Sequence, residues 1–288
     1  MKSNLACAGS LRVALLVGLL SYPGISLAQT GGTSPSGPVN NSITQMDGRQ
    51  ANKDITEAYL RQELGDPREQ AAYDAFHKAS DQDPDKKIHL GIAFLAKYQK
   101  DRYSRAVYEE ISQTYYNKKD LSSFNLYSEK GLSLFPDDVH LLALTGWVIP
   151  RAYDSRDPDA DKKLDTAETY EKHALDVLGT LPKPENVTDE QFAEFKTGES
   201  AIAHSGLGMI YFRREHYEES AKELGTSTKN QATPDPTDYY ILGADLENLG
   251  RFKDAADAFN RCAQMPSAVQ DNCKKYAADA TQRAANSQ

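Results

Sequence analysis

The chain has 288 residues, 39% of them hydrophobic, and carries 33 lysines and arginines against 42 aspartates and glutamates, a net charge of −9. Nucleic acid and anionic membrane surfaces both call for a basic patch, so this acidic balance excludes either as the main partner. The length suits one elongated repeat array or two compact domains. The lean apolar fraction suits the array, where each unit packs only on its neighbours.

Residues 1–28 read as a signal peptide. Lys2 and Arg12 precede an apolar run from Val13 to Leu20, Pro23 and Gly24 break it, and Ser26-Leu27-Ala28 supplies a small-x-small cleavage pattern. The run is far short of the roughly 20 apolar residues that span a bilayer. No comparable stretch follows, so the expected product is exported, periplasmic or secreted, without stable membrane insertion, and starts near Gln29 with a net charge of −11 once Lys2 and Arg12 are gone. Cys7 lies before the apolar run, where it cannot serve as a lipid anchor.

Residues 29–51 are rich in Gly, Ser, Pro and Asn without hydrophobic period and read as a disordered linker. From Asp54 onward the pattern is helical, with no alternating strand, and the fold class is all-α. Residues 52–104 form helical lead-in hairpins. Asp66-Pro67-Arg68-Glu69 has the form of a capping box with proline in the first helical position, and Thr188-Asp189-Glu190-Gln191 is a second, opening a long helix toward Arg213. Breaks fall at Pro84, Pro136, Pro158, Pro182, Pro234 and Pro266.

Two cysteines flank the turn Met265-Pro266-Ser267. If helices run up to and away from it, Cys262 and Cys273 meet as a disulfide; the alternative is two separate buried thiols. Cys-x10-Cys without a neighbouring histidine suggests no metal or redox centre.

A period of about 34 residues is legible. The last unit reads Tyr239-x2-Leu242-Gly243-x2-Leu246, Gly250, Ala255-x3-Phe259-x2-Cys262. The one before reads His204-x2-Leu207-Gly208-x2-Tyr211, Ser220-x3-Leu224-x2-Ser227. Two earlier units are looser: Tyr108-x2-Ile111-Ser112-x2-Tyr115 has Phe124 where a small residue belongs. Leu142-x2-Thr145-Gly146-x2-Ile149 is separated from Leu164, Ala167 and Ala174 by an insertion of nine residues. This pattern resembles the tetratricopeptide repeat family, in the manner of an exported bacterial member, over about four units in residues 105–267 with the insertion within 150–163. The resemblance implies a right-handed α-α superhelix of helical hairpins, closed by a polar capping helix and tail at 268–288.

The resemblance also implies a concave groove lined by the first helix of each hairpin. Carried onto this chain, the groove positions hold Glu109, Gln113 and Tyr116; Ala143, Trp147 and Arg151; Ser205, Met209, Phe212 and Arg213; Tyr240 and Ala244. The partner-binding candidates among them are Tyr116, Trp147, Arg151, Met209, Phe212, Arg213 and Tyr240. The Lys and Asn with which some members hold a C-terminal carboxylate are absent. A partly aromatic groove edged by two arginines suits a protein or peptide segment bearing an acidic residue. In the alternative reading Trp147 and Phe212 are core between hairpins and the arginines pair with nearby acids.

Residues 157–168 place acids at the first, third, fifth, ninth and twelfth positions of a calcium loop, but Lys162 stands where its sharp turn needs glycine; the other reading is a solvated acidic loop capping a helix. The six histidines are scattered without a metal-binding pair, and no nucleophile elbow or phosphate loop occurs. The expected function is a non-catalytic exported scaffold for protein or peptide binding, without cofactor, and the alternative is a structural subunit of a cell-envelope assembly.

Overall fold

A computed structural model describes Ile55 and residues 66–79, 83–229 and 233–287, all within the unit formed by residues 40–288. The expected signal peptide (1–28) and linker (29–51) lie outside the described residues. Eleven helices and no strand occur among those residues: α1 (Pro67–His77), α2 (Pro84–Lys97), α3 (Ser104–Asn117), α4 (Leu121–Leu134), α5 (Val139–Arg151), α6 (Ala160–Thr180), α7 (Asp189–Arg213), α8 (Tyr217–Lys229), α9 (Pro236–Asn248), α10 (Phe252–Ala263) and α11 (Gln270–Asn286).

The starts follow from local chemistry. Asp66, Asp83, Asp120, Asp138 and Asp235 each accept a hydrogen bond from a backbone N–H in the first turn of the helix they precede, and Pro67, Pro84 and Pro236 open α1, α2 and α9. Thr188 and Gln191 form the reciprocal capping box foreseen for α7. The box foreseen at Asp66 is only half made. The Asp66 carboxylate caps Arg68 N at 2.8 Å, but Glu69 is buried against the core instead of turning back to the Asp66 amide.

Helices pack on their sequence neighbours, α3 on α4, α5 on α6, α7 on α8 and α9 on α10; α5 also runs against α7, and α11 closes on α10. Three of the four hairpins turn in the same way. Lys119 (φ 61°), Glu215 (φ 61°) and Gly250 (φ 74°) each sit two residues past the first helix in the left-handed region. The next residue's N–H then reaches back to a carbonyl five residues earlier: Asp120 to Tyr115, His216 to Tyr211, Arg251 to Leu246, at 2.8–3.0 Å. Between α5 and α6 a connector spanning residues 152–159 replaces this turn. The helix before it runs through Pro150 to Arg151, two residues into the segment expected to be inserted, although Pro150 has no N–H to donate to the carbonyl four residues back.

Inside the hairpins one contact recurs. A Cβ added at Gly208 would lie 2.5 Å from Leu224 Cγ, at Gly243 2.6 Å from Phe259 Cε1, and at Gly146 2.6 Å from Glu171 Cδ. The partner stands 16 residues on in the third and fourth hairpins and 25 in the second, the difference being the nine inserted residues. The glycine brings the helix axes close, and the side chain opposite fills the space. The first hairpin departs from this: Phe124, fully buried, packs edge-on to Tyr116 where a small residue was expected.

Cys262 and Cys273 are paired as a disulfide with Cα atoms 5.8 Å apart, both fully buried, tying α10 to α11. Among the described residues no helix is long and apolar enough to cross a membrane.

Candidate functional site

The candidate groove residues divide into two groups. Trp147, Met209 and Tyr240 are 1%, 1% and 3% exposed, so they belong to the interior and offer a partner almost no surface. The reason is packing by neighbouring helices: α7 runs against α5 beside Trp147, and α10 and α11 close on Tyr240. Tyr240 packs on Phe259 and Tyr276, both with ring centroids 6.0 Å or less from their neighbours in that cluster. Tyr116, Arg151, Phe212 and Arg213 remain half-buried and reach solvent.

Arg151, of the second group, is the hub of a network around Trp147. Its guanidinium lies 3.6 Å over the Trp147 ring, donates to Trp147 O at 3.1 Å and Ser205 Oγ at 2.8 Å, and pairs with Asp238 at 3.2 Å and Asp235 at 3.6 Å. Trp147 Nε1 also donates to Ser205 Oγ (3.1 Å), which donates to Asp238 Oδ1 (2.7 Å), while Ser227 donates to Asp238 Oδ2 (2.8 Å). One carboxylate thus ties four helices. Burial, and next the charge of Asp235, raise the Asp238 pKa to about 6 although Arg151 opposes them. Tyr116 closes the other side of Trp147, its ring 5.7 Å away.

Arg213 completes the visible edge. Its Nε donates to Pro150 O (3.1 Å), satisfying a carbonyl at the end of α5, and its guanidinium lies 5.5 Å from the Tyr153 ring. The structure therefore brings Tyr116, Trp147, Arg151 and Arg213 to one end of α5 and α7, with Phe212 beside Arg213 and stacked edge-on to Tyr217. Arg151 pairs with acids, as the alternative reading held, whereas Arg213 donates to a backbone carbonyl.

A second network joins α3, α5 and α7. Arg105 pairs with Asp138 (2.9 Å) and Glu109 (3.4 Å), and His140 Nδ1 lies 3.0 Å from Glu199. Burial pulls the His140 pKa down, but the Glu199 charge and hydrogen bond outweigh it and raise it to about 9. Burial and the Asp138 charge hold Glu109 well above the ordinary carboxylate range despite Arg105. In the fourth hairpin Asp245 is raised to about 8 by burial, although Ser220 donates to it at 2.6 Å. None of this was foreseen. A signal did exist: Asp138, Asp235 and Asp238 cluster at the starts of first helices, where a cap and an inter-hairpin contact coincide.

The calcium reading does not survive the geometry. Helix α6 begins at Ala160, so three quarters of the twelve-residue segment is helical where a calcium loop must curl around its ion. Asp157 instead pairs with Lys163, and Asp165 and Glu168 pair with Arg214. A cavity of about 360 Å³ opens between α6, α7 and α8, lined among others by Leu178, Lys196, Thr197, His204 and Thr226. His204 is turned to Glu223 at 2.6 Å. No family model matches this chain, and no curated protein shows significant similarity to it.

Proposed function

We propose that the chain is an exported, non-catalytic scaffold of tetratricopeptide-like hairpins that holds a protein or peptide segment on the face formed by its first helices. The observation that carries this reading is the recurrence of hairpin features: the same left-handed turn in the first, third and fourth hairpins, and the same glycine contact in the second, third and fourth, at a spacing of 16 residues in the last two and 25 across the insertion. A right-handed superhelical array is the expected outcome of stacking such units. The disulfide fits an oxidising compartment, which supports export.

Within this reading the partner meets Tyr116, Phe212 and the outer surfaces of Arg151 and Arg213, while Trp147, Met209 and Tyr240 shape that face from beneath. An acidic residue on the partner would complement Arg213, Arg151 being already paired with Asp235 and Asp238. The competing role as an envelope subunit draws support from α4, where Leu121 and Leu126 are 37% and 48% exposed on the opposite helix layer. Photo-crosslinkers at positions 116, 212, 121 and 126 separate the two in the native cell envelope. One common partner crosslinked from 116 and 212 but not from 121 and 126 supports the groove. Crosslinks only from 121 and 126 overturn it in favour of the structural role.

A further inference from the structure

Glu171 lies midway along α6 and is fully buried, and neither of its carboxylate oxygens has a hydrogen-bond partner among the described residues. Two glycines make room for it. A Cβ at Gly146 of α5 would lie 2.6 Å from Glu171 Cδ, and one at Gly206 of α7 would overlap Glu171 Oε1. The carboxyl is therefore clasped between the first helix of its own hairpin and the first helix of the next. The corresponding places in the third and fourth hairpins hold Leu224 and Phe259, so the slot is one that these hairpins fill with apolar side chains.

The helices packed against α6 are α5 and α7, and their charges are committed elsewhere. Arg151 of α5 is held by Asp235, Asp238 and Ser205. Glu199 of α7 is a like charge and is bonded to His140 of α5, and His204 of α7 turns to Glu223. A neutral carboxylic acid is tolerable in such a place; an ionised one without a donor is far costlier.

We propose that Glu171 is a proton-dependent latch: neutral, it lets α6 close against α5 and α7, and on losing its proton it forces that contact open. Burial pushes the Glu171 pKa well above the usual carboxylate range, with Arg151 opposing and Glu199 adding to the rise. The folded chain thus holds this proton more tightly than the unfolded chain. The stabilisation is complete below the ordinary carboxylate value and is lost as pH rises toward the raised folded one. The latch does not depend on what, if anything, the face carrying Tyr116 and Phe212 binds.

Chemical unfolding of the purified protein and of Glu171→Gln between pH 4.5 and pH 8 tests it. Asp238, Asp245, Glu109 and His140 titrate in both proteins and cancel in the ratio of the two unfolding constants. The latch predicts that this ratio, wild type over variant, grows by up to about tenfold per pH unit over that range. A ratio independent of pH overturns it. Hydrogen exchange on the wild type gives a second reading that needs no variant. After correction for intrinsic rates, protection of α6 amides around Glu171 should fall with rising pH while that of α11 holds. Unchanged protection in α6 also overturns the latch.

Discussion

The second and fourth hairpins share a backbone plan and differ in what fills it. In the fourth, Gly243 faces the Phe259 ring, which packs on Tyr240 and Tyr276, and a disulfide fastens the next helix. In the second, Gly146 faces the unpartnered carboxyl of Glu171, and a longer connector replaces the tight turn. At the glycine contact the fourth hairpin places an aromatic ring, and the second places a titratable group where the third and fourth place hydrocarbon. Backbone geometry in these hairpins is set by the glycine, while the chemistry of the seam is set by the side chain opposite.

The contrast can be broken from the apolar side first. Phe259→Ala leaves a cavity in the fourth seam and should cost about 3–5 kcal/mol, read by denaturant unfolding, with little change in how stability depends on pH. Opening the Cys262–Cys273 bridge, by reduction or by Cys262→Ala with Cys273→Ala, should cost about 2–3 kcal/mol. Hydrogen exchange should show the loss in α10 and α11 before α5 and α6. The smallest effect belongs to the turns the other hairpins share. Lys119 and Glu215 hold the conformation that Gly250 adopts freely, so Lys119→Gly or Glu215→Gly should raise stability by roughly 0.5–1 kcal/mol, seen as a small rise in Tm.

Much of this was legible in the sequence, for stated reasons. Proline and aspartate marked the helix starts, and the Leu-Gly pairs at 207–208 and 242–243 marked the register of the last two hairpins. The cysteines across Pro266 pointed to their bridge because a turn with helices on both sides leaves them facing each other. What was not legible was which side of a first helix faces the next hairpin. Trp147, Met209 and Tyr240 occupy positions assigned to an open groove, yet all three are buried. The capping box at Asp66 failed for a related reason, since Glu69 is drawn inward beside the segment at 101–103. Acids are usually solvated, and Glu171 carries no local mark of burial in its own helix. Counting from Gly146 across the nine inserted residues arrives at Glu171, so the register itself carried the sign of a buried carboxyl.

The central claim is that Glu171 occupies the slot that Leu224 and Phe259 fill elsewhere. The most direct measurement is the Tm of Glu171→Leu against the wild type at pH 8. A leucine in an equivalent slot should be accepted between Gly146 and Gly206, and removing the buried acid should raise the Tm. A lower Tm at that pH would contradict the equivalence of the hairpins and the account built on it.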